Sequence, residues 1–199
     1  MAAFAERLVG AVAERESQIV LGLDPDPARL WPAVKEGSSG SPAERAARAV
    51  LEHCRALIDA AGSACVAAKP QLACFERLGA AGWAALAEVV ALAHDAGLLV
   101  IADGKRGDVA VTAAAYGQAL AGTTPTIAGE VAGLGADAFT ANPLLGLDAL
   151  APLVATGAGV FVLVRTSNLG AADVQDLPLA DGRAVWEHLA VLVDGLGEP

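Results

Sequence analysis

The string Asp103-Gly104-Lys105-Arg106-Gly107-Asp108 brackets one lysine with two carboxylates. Asp103 and Lys105 are two residues apart, so on an extended strand end both side chains point to the same face. The two glycines let the backbone turn sharply and let another group approach closely. Asp108 is placed at the start of the next helix, where the helix dipole favours a carboxylate. A lysine flanked in this way is held as an ammonium and can serve as a general acid. Alone, Asp-x-Lys-x-x-Asp is a common string, and charges at a strand exit are usually just solvated. The joint pattern says more, because Asp24, Lys69, Asp103 and Lys105 each follow an apolar run, Asp108 lies just beyond, and Ser167 follows another run. The chain has only three lysines, and two belong to this set. Lys69 would complete an alternating Lys-Asp-Lys-Asp array with Asp103, Lys105 and Asp108.

Five short apolar stretches must position these groups: residues 19–23, 64–68, 98–102, 137–140 and 160–164. The first ends in Asp24-Pro25-Asp26-Pro27, and proline neither donates to a ladder nor favours helix before it. Between the stretches, apolar spacing and capping signals predict helices. One opens the chain over 1–16, and a second runs to 61 from a Ser41-Pro42-Ala43-Glu44 capping box. Others are expected over 75–96 with a break near 79–82, over 111–121, over 126–134 and over 147–155, with a last one from an Asp181 cap to 192. Residues 36–42 read as a surface loop.

The strands are apolar without alternation, as in a parallel sheet covered on both faces. A doubly wound sheet and a β/α barrel both satisfy that order. No Gly-x-Gly-x-x-Gly follows the first strand, which counts against a dinucleotide fold. In a barrel, the carboxyl-terminal rim of the strands is where catalytic groups gather.

Composition narrows the function classes. Of 199 residues, 55% are hydrophobic and 18% charged, which excludes a disordered chain. A formal charge of −10 argues against a nucleic-acid binder, which needs a basic face. Alanine fills 47 positions, which suits closely packed helix–strand layers. The uncharged stretch 109–129 is broken by Thr, Gln, Gly and Pro, and the amino terminus lacks an apolar signal core, so no membrane segment is expected. Cys54, Cys65 and Cys74 lack metal-ligand spacing and read as small buried groups in a reducing cytoplasm. His53, His94 and His188 fall on helices away from the strand exits. Trp31, Trp83 and Trp186 read as packing residues, Arg106 and Arg165 as solvated ion-pair partners, and Asp148, Asp173 and Asp176 as surface.

Five strings, in order, resemble the orotidine 5′-phosphate decarboxylase family in its longer bacterial branch. They are Leu21-Gly22-Leu23-Asp24-Pro25, Ala68-Lys69-Pro70-Gln71, the Asp103 to Asp108 string, Thr140-Ala141-Asn142-Pro143 and Arg165-Thr166-Ser167-Asn168. The resemblance implies an α/β fold of the (β/α)8 TIM-barrel type. It also implies decarboxylation of orotidine 5′-phosphate to uridine 5′-phosphate in pyrimidine biosynthesis, with no cofactor and no metal. By the same resemblance, Asp24 would hold ribose hydroxyls, and Lys69 would organise the charges and touch the ribose. Asp103 would sit beside the substrate carboxylate, Lys105 would protonate the carbanion, and Ser167 would read the pyrimidine edge. Asp108 and Thr112 would reach into the site of a partner subunit, in a cytoplasmic homodimer. Metal-dependent phosphosugar decarboxylases and aldolases of the same superfamily share the Asp-x-Lys-x-x-Asp string but have an acidic residue where Lys69 stands, so Lys69 favours the nucleotide enzyme. A non-catalytic barrel fragment is the remaining alternative.

An eight-stranded barrel typically takes about 250 residues. With five strands evident, the chain is expected to be the amino-terminal portion of one barrel domain. The phosphate-gripping loops after strands seven and eight would lie beyond it, and its own turnover would be weak or absent.

Overall fold

The computed structural model describes residues 3–30 and 39–197; Trp31 and part of the 36–42 loop lie outside the described residues. In chain order the elements are α1 (Phe4–Arg15), β1 (Val20–Leu23), α2 (Pro42–Ala61), β2 (Ala67–Pro70), α3 (Leu72–Glu76) and α4 (Gly79–Asp95). They continue as β3 (Leu99–Arg106), α5 (Ala110–Ala121), β4 (Thr123–Thr126), β5 (Gly129–Ala132), β6 (Ala138–Ala141), α6 (Leu147–Val154), β7 (Gly159–Val162) and α7 (Val185–Asp194). Among the described residues no helix is long and apolar enough to cross a membrane.

The main sheet runs β1-β2-β3-β6-β7, parallel throughout. Each strand lies beside the next one to join the sheet, so the order never reverses. A doubly wound sheet has a switch point where the order does reverse. The winding is therefore that of a β/α barrel.

Helices cover one face of this sheet, α1 covers the other over the central strands, and alternate strand residues sort between the two. Ala68, Val100, Ala102, Phe139 and Ala141 pack with Val50, Leu51, Leu86, Val89, Leu120 and Leu150 of the surrounding helices. Ala67, Leu99, Ile101 and Ala138 face the other way, against Phe4, Leu8, Ala11 and Val12 of α1. Phe4 also meets Phe161 of β7 edge-on, with ring centroids 5.9 Å apart. Ala67 and Ala138 on the α1 side leave room for this helix against the sheet.

Below the sheet, at the amino-terminal ends of its strands, two side chains tie the layers together. Arg15 donates to the carbonyls of Gly62, Cys65, Ala96 and Gly97 at 2.8–3.0 Å, joining α1 to the segments that end α2 and α4. A cation suits the orphan carbonyls at a helix carboxyl end. Asp137 accepts from the Val100 N–H at 2.7 Å and from the Arg7 guanidinium, and His94 Nε2 lies 2.9 Å from its Oδ2.

The capping box holds as expected, with the Glu44 N–H donating to Ser41 Oγ at 3.3 Å and the Ser41 N–H to Glu44 Oε2 at 2.7 Å. The break expected near 79–82 is present, with α3 and α4 parted just before Gly79, which adopts φ +65°. Three local expectations are corrected. Residues 126–134 are expected to be helical, but 126–132 belong to the antiparallel β4–β5 hairpin and 133–134 follow it without regular structure. The Thr126 hydroxyl accepts the Ala128 N–H and donates to the Gly129 carbonyl, which closes a turn instead of capping a helix. Asp181 does not cap α7, because it is held by the Arg183 N–H and guanidinium, and the Glu187 carboxylate receives the Ala184 N–H at the helix start. Trp83, expected to pack, is 40% exposed.

Candidate active site

The same period of two that builds the core also builds the site. Two residues beyond Ala67, Ile101 and Ala138 come Lys69, Asp103 and Thr140, so the face that is apolar against α1 becomes polar at the strands' carboxyl-terminal ends. The third strand extends past its expected end and contains the Asp103–Arg106 segment itself.

That extension is irregular. Ala102 pairs with Phe139 and Arg106 with Ala141, so four steps along β3 match two along β6. The excess forms a bulge at Asp103-Gly104-Lys105, and bulges commonly re-aim side chains next to active sites. Lys105 itself carries the left-handed backbone, at φ +49°. The glycines serve close approach instead. A Cβ on Gly104 would come within 2.6 Å of Leu72 Cδ1, and one on Gly107 within 2.8 Å of the Asn142 carbonyl oxygen.

Asp103, only 6% exposed, is the hub. Its Oδ1 accepts from Lys105 Nζ at 2.6 Å and from the Thr140 hydroxyl at 2.9 Å. Its Oδ2 accepts from Lys69 Nζ at 2.7 Å and from Gln71 Nε2 at 3.3 Å. An ionised carboxylate offers about four lone-pair sites, and here all are used. Burial works to raise the Asp103 pKa, but hydrogen bonds from Lys105, Lys69 and Thr140 and the charge of Lys69 together hold it below the usual carboxylate value. One carboxylate between two ammoniums leaves a local excess of positive charge, suited to an anionic ligand.

The other expected site residues are distributed around this hub. Asp24 lies exposed at the β1 exit, in a turn that Arg77 braces by donating to the Pro25 carbonyl and pairing with Asp26 at 3.8 Å. Ser167 is exposed beyond β7, in a loop pinned where the Gln175 side-chain oxygen accepts the Thr166 N–H at 2.7 Å. Asp108 does not flank Lys105 as an ion pair among the described residues; its Oδ1 accepts the Val109 N–H at 2.7 Å just before α5. Thr112 is exposed in the first turn of that helix. Within one chain, then, Lys69, Asp103 and Lys105 come together, and among the described residues Asp108 bonds to none of them.

Two participants carried no assigned role in the sequence reading. Gln71 and Thr140 both lie in the quoted strings, but only the strand register shows that they converge on Asp103. Arg106 is more than a solvated charge: it pairs with Glu76 and stacks over Tyr116, 5.5 Å from the ring centroid. Arg165 fits its expectation, with an exposed two-pronged contact to Asp176 at 2.8 Å.

A singly wound parallel sheet with a lysine–aspartate–lysine array at its carboxyl-terminal ends defines a protein of the β/α-barrel class. Residues 17–194 match the family model described as the orotidine 5′-phosphate decarboxylase / HUMPS family. The chain belongs to that family. It is 39% identical over 202 aligned residues to the orotidine 5′-phosphate decarboxylase of Rhodopirellula baltica, covering 100% of this chain and 66% of that protein. It is 41% identical over 198 residues to that of Haloarcula marismortui, covering 98% and 65%. The chain thus spans just under two thirds of the length of these curated relatives. Among solved structures, Leishmania donovani OMP decarboxylase superimposes with a TM-score of 0.72 at 36% identity, covering 95% of this chain and 64% of that one. Leishmania donovani UMP synthase gives a TM-score of 0.73 at 36% identity, covering 96% of this chain and 36% of that one.

Proposed function

We propose that this chain carries the catalytic array of an orotidine 5′-phosphate decarboxylase, forming uridine 5′-phosphate in pyrimidine biosynthesis without metal or cofactor. The observation that carries this reading is the contact of Lys69 and Lys105 with opposite oxygens of one buried carboxylate, Asp103. The names of relatives near 40% identity point the same way.

In the reaction the bond between the pyrimidine ring and its carboxylate breaks, CO₂ departs, and the electron pair stays on the ring carbon. The Lys105 ammonium, fixed before the charge develops, stabilises that carbanion and transfers a proton to it. Asp103 lies beside the substrate carboxylate and aims Lys105. Lys69 neutralises Asp103 and contacts the ribose, Asp24 takes ribose hydroxyls, and Ser167 reads the pyrimidine edge. Asp108 and Thr112 serve the site of a second copy in a cytoplasmic homodimer. Among the described residues neither side chain bonds to the array within one chain: Asp108 accepts the Val109 N–H and Thr112 is exposed, which leaves both available to a second copy.

Loss of orotidine 5′-phosphate absorbance by the purified protein, followed with excess chelator, tests the reading. Lysine-dependent turnover that chelator leaves intact is expected. A metal requirement, or a preference for a phosphosugar acid over the nucleotide, would favour the metal-dependent branch instead.

A further inference from the structure

The bulge in β3 creates a local problem in the backbone hydrogen bonding. Between the Ala102–Phe139 and Arg106–Ala141 pairings, the β6 backbone is too short to meet every group of the Asp103–Lys105 segment. Lys105 also sits at φ +49°, a conformation that a residue with a side chain adopts only when its surroundings hold it there. Thr140, on the short side of the bulge, fills the gap with its side chain. Its Oγ1 accepts the Lys105 backbone N–H at 2.8 Å and donates to Asp103 Oδ1 at 2.9 Å. One hydroxyl therefore fixes the backbone of the proton donor and the carboxylate that aims it.

We infer that Thr140 is a positioning residue, whose hydroxyl holds the Lys105 backbone in its left-handed turn and orients Asp103, so that the Lys105 ammonium is pre-aimed at the reacting carbon. Its catalytic consequence rests on the decarboxylase reading above; its structural consequence does not. Thr140 donates its only proton to Asp103, and the Lys105 N–H occupies an acceptor site on the same oxygen. Serine preserves both contacts, whereas valine keeps the shape and branching of threonine but has neither donor nor acceptor. The two substitutions therefore separate the hydroxyl from the packing.

The test compares Thr140→Val with Thr140→Ser in the full chain, by steady-state kinetics with orotidine 5′-phosphate and by amide hydrogen exchange at Lys105. Removing a hydrogen bond to a charged group costs roughly 1.5–3 kcal/mol, or about 10- to 150-fold in rate when the bond serves the transition state. Thr140→Val is expected to lower kcat within that range while KM moves less than about threefold, and to speed Lys105 exchange at least about tenfold. Thr140→Ser is expected to recover most of kcat and the slow exchange. The inference fails if Thr140→Val keeps kcat within about twofold of the parent. It also fails if serine is as damaging as valine, or if exchange at Lys105 is the same in all three proteins. If the parent chain does not decarboxylate the nucleotide, the function reading fails, and exchange at Lys105 still decides whether Thr140 holds the turn.

Discussion

Lys69 and Lys105 share a single carboxylate: Lys69 Nζ lies 2.7 Å from Asp103 Oδ2, and Lys105 Nζ lies 2.6 Å from Oδ1. Each lysine stands on a different strand, yet their charges are linked through one buried anion. Asp103→Asn should leave two ammoniums facing a neutral amide. Only the carboxylate of these pairs is buried, and neutralising it leaves two partly exposed ammoniums side by side without their counter-charge. Turnover should fall about 100-fold or more, with a lower melting temperature, both readable on one purified variant.

Acid stability should be set at both ends of the strands. Asp103 and Asp137 are each held below the usual carboxylate value. Burial opposes this in both; at Asp137 the hydrogen bonds from His94, Val100 and Arg7 outweigh it. A depressed folded-state pKa adds stability above the unfolded value of about 4, and that stability is lost as pH falls through the folded value. Thermal melts from about pH 3 to about pH 7 should therefore show a steep loss on the acid side, and Asp137→Asn should flatten part of it while lowering stability at neutral pH.

Arg15 is expected to matter for stability and not for chemistry. It reaches four carbonyls at the end opposite the charged array. Arg15→Ala should cost about 2–3 kcal/mol, since charge-assisted bonds to four carbonyls are lost, of which, among the described residues, only that of Gly62 is seen to keep another donor, the Cys65 N–H. In a chain of this size that lowers Tm by roughly 4–12 °C. An unchanged melting curve would show that water replaces the guanidinium at no cost.

Gly107 tests the packing of β3 against β6 beyond the bulge. An added Cβ would lie 2.8 Å from the Asn142 carbonyl oxygen and 3.0 Å from Asn142 Cβ. The first of these neighbours is backbone and cannot swing aside. Gly107→Ala should destabilise the protein by about 1–3 kcal/mol and displace the adjoining Asp108. Denaturant unfolding measures the first effect. A variant as stable as the parent would mean that the loop yields freely.

The strands and their charged exits are legible in the sequence because apolar runs without alternation, each ended by a polar residue, allow little else. Lys69, Asp103 and Lys105 can be grouped before any coordinates, since successive parallel strands bring their ends together. Thr140 and Gln71 cannot be assigned to Asp103 that way, because their roles depend on strand register. The phase that reveals Thr140 is set by Ala138 facing α1, which is a tertiary fact. The left-handed turn at Lys105 is hidden for a related reason: glycines flank it, but the bulge and the Thr140 hydroxyl impose it. The β4–β5 hairpin escapes a sequence reading because a Thr126 hydroxyl can bond within a turn as readily as cap a helix.

The most direct test of the decarboxylase reading is the rate of orotidine 5′-phosphate consumption by the parent chain and by Lys105→Ala, both with chelator and both verified as folded by circular dichroism. If the Lys105 ammonium meets the carbanion, the parent should turn over the nucleotide above its uncatalysed rate, and the substitution should lower kcat by at least about 100-fold. Equal rates for the two proteins, or no turnover by the parent, would contradict it.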